Sequence, residues 1–357
     1  VRDIIGGWSE PERFDAYLDN WQAILAQRTR EVVDRIAAIE GVRGLILAGG
    51  IGRGAAWPLS DIDLIPIYAP GTVDASAAAI DAIRQHLLLR WTAKGWWTGI
   101  DIGRLAFTTN EVDTALATEA TMIPALLADD RWYHSIDKAY GGQPTYDPDG
   151  LATPLAHWLT SHRFTPTIVS LRITRASTEL HNALSIWDMS QTPGDPHGAV
   201  RAIHDAVKWL RALLLERWGE RDASLARVGT RFDRLASAHG LVDVVATTHA
   251  VCDLDDASVQ RRMAIAPDWL HLRHDRSLRA RRLIGEPVSA LEDARDVLRV
   301  STQYALRQQT TPPFPAWLAI PERAESLAER FGQLRRLIDH CGIAERAIDE
   351  RSSRKID

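Results

Sequence analysis

Between Gly49 and Leu64 the chain reads Gly-Gly-Ile-Gly-Arg-Gly-Ala-Ala-Trp-Pro-Leu-Ser-Asp-Ile-Asp-Leu, and these residues carry the strongest chemical signal in the sequence. Four glycines, Gly49, Gly50, Gly52 and Gly54, let the backbone turn sharply and approach a ligand closely. Backbone N–H groups in such a turn form a ready anion site. Asp61 and Asp63 stand at i and i+2 on an expected strand, so both carboxylates leave the same face. Two carboxylates that close raise one pKa unless a cation sits between them. Hard divalent ions favour such oxygen-only coordination, and Mg²⁺ commonly adds substrate phosphate oxygens to one or two carboxylates. A third acid, Asp101, is flanked by Ile100 and Ile102, where a lone carboxylate is costly unless paired or metal-bound. Placed on a neighbouring strand, it would meet the other two and complete a cage for two Mg²⁺ ions. The chemistry of such a cage is in-line phosphoryl or nucleotidyl transfer from an NTP.

Rival motifs fail on spacing. A dinucleotide fingerprint needs G-x-G-x-x-G opening a helix, whereas here the glycines follow as Gly50-x-Gly52-x-Gly54 and Pro58 comes soon after. A phosphate-binding P-loop ends in Gly-Lys-Ser/Thr, which is missing from this segment. Around the acids, Arg53 is positioned to reach a triphosphate or to point outward. Ser60 either donates to a phosphate or caps its own turn. Trp57 reads more readily as an apolar plug than as a base-stacking ring.

Several elements must hold these residues. Apolar spacing over residues 10–40 predicts a helix ending at Gly41. Strands are expected at Gly44 to Ala48, at Asp61 to Ile67 with Pro66 marking a sheet edge, and from about Gly99 to Phe107. Helices are expected at 74–94 and at 110–128, the second capped by Thr109 or Asn110. The turn-rich stretch Tyr140 to Gly150 suggests a domain boundary, giving residues 1–150 and 151–357. Beyond it the pattern is helical, with breaks at Gln191 to Pro196, Gly219 and Thr310 to Pro315. In the segment 198–217, Val200, Ile203, Val207, Leu210 and Leu214 form the apolar face, while Lys208 shares the other face with Arg201. Lys208 is a candidate triphosphate contact or a solvated side chain. His204-Asp205, with His181 upstream, also has the form of a metal pair of HD-type hydrolases.

With 357 residues, a net charge of -5 and 45% hydrophobic content, the composition is that of a globular protein of about two domains. It has neither a bilayer-spanning apolar run nor a signal-peptide pattern at Val1 to Glu10, and two cysteines make no disulfide framework. A cytoplasmic location is therefore expected, with no membrane partner. Net acidity argues against bulk coating of nucleic acid. The arginine-rich stretch at 261–282 is either an acceptor surface for RNA or an ordinary solvated helix. Only four of the 42 basic residues are lysines (Lys94, Lys138, Lys208 and Lys355), so a lysine at a useful position is worth noticing.

The glycine run followed by Pro58-x-Ser60-Asp-Ile-Asp-Leu64 resembles the nucleotidyltransferase domain of the PII-protein uridylyltransferase family, within the DNA polymerase β-like superfamily. Arg28-Thr-Arg-Glu-Val-Val-Asp34, Gly99-Ile-Asp-Ile-Gly103 with Thr108 to Glu111, and Gly198 to Asp205 with Trp209 extend the likeness over residues 28–215. Ala55-Ala56 and Ala202 depart from the family pattern. The resemblance implies an α+β class: a polymerase-β-like domain with a small mixed sheet, followed by an all-helical C-terminal domain. It further implies a nucleotidyltransferase without the HD and ligand-sensing domains. Asp61, Asp63 and Asp101 would be its catalytic and metal-binding residues, and Gly49, Gly50, Arg53, Ser60 and Lys208 would bind the nucleotide. A protein side chain is the favoured acceptor, and a small hydroxylated molecule such as an aminoglycoside-type antibiotic is the alternative. A non-catalytic nucleotide sensor is a different class of outcome; it is expected if Asp101 turns away from the other two acids.

Overall fold

A computed structural model describes residues 11–94, 98–190, 195–221, 226–308, 313–320 and 324–341. The chain is mixed α/β, mostly helical, and divides into two compact units, Val1–Ile168 with Arg279–Glu286 and Val169–Leu278 with Pro287–Asp357.

The first unit is built on a five-stranded mixed sheet. Its opening helical segment is two helices, α1 (Pro11–Asp19) and α2 (Trp21–Ala37), which part at Asn20. Strand β1 (Val42–Leu47) leads through a short helical turn, α3 (Gly49–Gly52), to β2 (Ile62–Tyr68). Helix α4 (Val73–Ala93) carries the chain to β3 (Ile100–Ile102) and β4 (Phe107–Thr108). β1 and β2 are antiparallel, while β3 and β4 both run parallel to β2 along its other edge. Thus the single strand expected from Gly99 to Phe107 is interrupted, and Gly103 takes a left-handed φ of +99° in the break.

Pro66 does not mark a sheet edge, because β2 lies between β1 and the β3/β4 pair. The hydrogen-bond alternation explains how proline is tolerated there. Asp63 accepts from the Ala48 N–H on the β1 side, and Ile62 donates to the Gly99 carbonyl on the other. Even-numbered nitrogens of β2 therefore face β3 and β4, and the Pro66 nitrogen falls in the gap between those two strands.

After β4, Thr108 caps α5 (Thr109–Leu116), one residue before the cap expected from sequence, in a reciprocal box with Glu111. The helix stops at Leu116 rather than running to 128. A 3-10 turn (Ala120–Met122) and short α6 (Ile123–Leu126) precede α7 (Asp130–Lys138). Within the turn-rich stretch lies a fifth strand, β5 (Gln143–Tyr146), antiparallel to β1. Helix α8 (Ala152–His162) packs against β1 and β5, which carries the first unit past residue 150 to Ile168.

The even-numbered side chains Ile62, Leu64 and Tyr68 join Leu25, Val32, Ile36, Ile80, Leu87 and Trp91 in one core between the sheet and helices α2 and α4. Asp61 and Asp63 point to the opposite face by the period-2 rule.

The second unit contains no strand among the described residues. Its helices are most of α9 (Pro166–Ser190), α10 (Pro196–Arg217), α11 (Val228–Ala238), α12 (Val242–Val251), α13 (Asp256–Ala264), the larger part of α14 (Asp268–Leu283), α15 (Ala290–Gln308) and α16 (Ala324–His340). Val200, Ile203, Val207, Leu210 and Leu214 are all buried, as the spacing along α10 predicts. Gly219 ends that run at φ +70°, while most of the other two expected breaks, 191–194 and 310–312, lies outside the described residues. Among the described residues no helix is long and apolar enough to cross a membrane.

Candidate metal centre

The turn between β1 and β2 sets the first two acids. Gly49 turns at φ +64°, and a Cβ added there would stand 1.6 Å from Asp63 Oδ2. The missing side chain thus lets the carboxylate lie against the backbone. Gly52 approaches the Leu47 carbonyl, where an added Cβ would meet the oxygen at 2.1 Å. The chain re-enters the sheet through a turn in which Ser60 N–H donates to the Trp57 carbonyl and Trp57 N–H donates to Ser60 Oγ, each at 2.9 Å. Ser60 caps that turn, and Trp57 is a buried plug beneath it.

Asp63 and Asp101 are register partners across the parallel β2–β3 pair, so their side chains leave the same face. Asp61 is exposed at the entry to β2. One carboxylate oxygen from each of the three lies within 4.8 Å of the others, and this is the one such acid, histidine or cysteine group among the described residues. Asp63 is only 4% exposed, and its Oδ1 is buried against the Lys138 ammonium. Three carboxyl groups that can each offer an oxygen to one point make a donor set of the kind a hard divalent cation takes. The chemistry of these residues is compatible with a cation such as Mg²⁺.

Lys138, the last residue of α7, stands in this cluster. Its Nζ lies 2.6 Å from Asp63 Oδ1 as an ion pair and hydrogen-bonds Asp101 Oδ2 at 2.9 Å. Burial first, and then the neighbouring Asp61 charge, push the Asp63 carboxyl up to about 6 against the pull of Lys138. Burial lowers the lysine's affinity for its proton, but the Asp63 and Asp101 charges outweigh it and hold the group above the ordinary lysine range.

Packing of α7 aims this lysine. Trp132 stacks on Phe107 of β4 with centroids 3.9 Å apart and meets Trp158 of α8 edge-on. Asp137 pairs with the fully buried Arg163 at 2.7 Å. Sequence reasoning did not assign Lys138 to the site; the scarcity of lysine was the one signal available for finding it.

Other candidates fall in several places. Arg53 lies beside the cluster's helix, its guanidinium donating to the Lys138 carbonyl at 3.4 Å and its stem packing on Gly141. Gly50 is half-buried, and an added Cβ would meet Ser60 Oγ at 3.6 Å, an ordinary contact. Glu111, the next carboxylate along the chain after Asp101, is engaged by the Thr108 cap and Arg131. Lys208 belongs to the second unit, on α10, with its ammonium 4.4 Å from the centroid of the Trp209 ring.

In the arginine-rich stretch Arg262, Arg276 and Arg281 are buried, and Arg262 donates to the Trp317 and Asp253 carbonyls and to Thr302. These guanidinium groups serve the interior rather than an exposed RNA surface.

His204 is buried as well. Burial, then the charges of Arg262 and Arg211, depress it from 6.5 to about 3. The neutral ring is thus favoured in the fold, whereas the unfolded chain takes up a proton below about 6.5. Its contribution is present above that pH and is lost as the pH falls toward 3. Urea unfolding is expected to show that His204→Gln loses about 2 kcal/mol less stability between roughly pH 7 and pH 5 than the native chain. An unchanged difference would contradict the buried neutral ring.

Set against known proteins, the chain matches no family model and no curated protein sequence, so its site stands on its own geometry.

Proposed function

We propose that the protein transfers an NMP group from an NTP to a hydroxyl of an acceptor, releasing pyrophosphate, on a polymerase-β-like fold. The observation that carries this reading is the convergence of Asp61, Asp63 and Asp101 beside a glycine turn. Asp61 and Asp63 would hold two Mg²⁺ ions, and Asp101 would share one of them. Bound there, the ions supply acidification of the acceptor hydroxyl and charge neutralisation of the departing pyrophosphate.

The chain's own groups do the rest. Asp101, half-buried and open to solvent on one side, accepts the proton of the acceptor hydroxyl at a carboxylate oxygen. The acceptor oxygen forms its bond to the α-phosphorus while the bond to pyrophosphate breaks. Arg53 and the backbone at Gly49 and Gly50 bind the β- and γ-phosphates, and Ser60 holds the turn that presents them. A nucleotide sensor would be favoured by an Asp101 turned away from its neighbours, and here its carboxylate lies among them.

The test is incubation of the full chain with each labelled NTP and Mg²⁺ in host lysate. Label is expected to move to a macromolecule or a small solute with release of pyrophosphate; its destination separates a protein side chain from a small hydroxylated acceptor. No transfer and no pyrophosphate from any NTP would sink the proposal.

A further inference from the structure

We propose that Lys138 holds the place of the cation that Asp63 and Asp101 would share, so that its ammonium and a divalent ion compete for the same two carboxylates. This rests on the reading of the three acids as a cation cage. Nζ contacts Asp63 Oδ1 at 2.6 Å and Asp101 Oδ2 at 2.9 Å, one oxygen from each register partner. A Mg²⁺ bridging those acids needs oxygens at about 2.1 Å, which puts it within a few ångströms of Nζ. Two cations that close repel strongly in a partly buried site, so one must leave.

Two observations favour displacement of the lysine. One ammonium contacts Asp63 and Asp101 alone, whereas all three carboxyl groups can offer an oxygen to a divalent ion at the same place. The Lys138 side chain is about one-third exposed (32%), which gives its four-carbon stem a way out to solvent. The helix beneath it is pinned by Asp137–Arg163 and the Phe107–Trp132 stack, so the movement falls to the side chain rather than to α7. A displaced ammonium remains at the rim of the cluster, where an anionic triphosphate would arrive. In this arrangement Lys138 neutralises the cage when no ion is bound and sets the concentration at which an ion enters. It is a positioning residue and takes no part in bond making.

The experiment is Mn²⁺ binding to the full chain without nucleotide, read from the electron paramagnetic resonance of unbound Mn²⁺, together with melting in EDTA and in Mn²⁺. Lys138→Met is expected to bind Mn²⁺ about tenfold more tightly than the native chain. It should also melt lower in EDTA and recover when Mn²⁺ is added. Lys138→Arg, which keeps the charge, should return binding close to the native value. Lys138→Gln, which keeps a donor for Asp101, supplies the same comparison if the methionine variant does not fold. Equal or weaker Mn²⁺ binding in Lys138→Met and Lys138→Gln, with Asp63→Asn still impaired, overturns the competition but leaves the cage intact. Native chain and Asp63→Asn binding Mn²⁺ equally poorly overturns both.

Discussion

Asp63→Asn is expected to lower NTP-dependent pyrophosphate release by about a thousandfold or more, with the chain still folded. The substitution keeps the shape of the side chain and removes one negative charge. Asp63 is the acid on which the cluster depends most. It is the buried one, it faces Asp101 across the strand pair, and its Oδ1 meets the Lys138 ammonium. Charge stabilisation by bound metal is worth several kcal/mol in the transition state, and each 1.36 kcal/mol is about a factor of ten in rate. The fold should tolerate the change, because Lys138 retains its hydrogen bond to Asp101 and the Ile62 and Leu64 side chains of the same strand remain in the core. A cooperative melt within a few degrees of the native one, alongside the lost activity, would place the defect in the chemistry. Release of pyrophosphate at more than about a tenth of the native rate would contradict the assigned role.

Gly52→Ala is expected to be the most damaging of the alanine substitutions in the glycine turn other than at Gly49, which the Asp63 carboxylate already excludes. The new Cβ would meet the Leu47 carbonyl oxygen at 2.1 Å and its carbon at 2.8 Å. Leu47 cannot yield cheaply, because β1 pairs there with Leu64 on one side and Gln143 on the other. Relief requires moving a strand that is hydrogen-bonded on both edges, and overpacking of that kind costs about 3 kcal/mol. For a unit of this size the melting point should fall by roughly 10 °C. Gly54→Ala is the control. Gly54 is also left-handed, at φ +69°, but nothing lies within 4 Å of an added Cβ. Only the backbone penalty applies there, about 1 kcal/mol and a shift of a few degrees. Thermal melts of the two variants test the contrast, and equal shifts would mean that the turn relaxes around Gly52.

These two substitutions also separate the roles that one motif had merged. Read as a string, four glycines suggest a backbone opened for a ligand. In three dimensions Gly49 makes room for Asp63, and Gly52 for the chain's own Leu47 carbonyl. Gly54 supplies a left-handed turn, and an alanine would fit sterically at Gly50. Which job each glycine does depends on what stands opposite it, and that neighbour comes from another strand or from the far side of the turn.

The amino-acid sequence determined what covalent spacing alone enforces. Asp61 and Asp63 share a face because they are two residues apart on an extended chain, and the reciprocal cap before α5 needs only Thr108 and Glu111 three residues on. The apolar stripe of α10 follows in the same way from a period of 3.6 residues. The tertiary structure decided the contacts between distant segments. Gln143–Tyr146 contains proline and lies among turn formers, and becomes a strand because β1 offers it an unpaired edge. Pro66 reads as an edge residue, yet sits inside the sheet because the partner strand breaks opposite its nitrogen. Lys138 reaches Asp101 from 37 residues away because α7 is stacked onto β4 and tied to Arg163. Local rules act through neighbours along the chain, whereas these placements follow from the summed burial and pairing of elements that no short window contains.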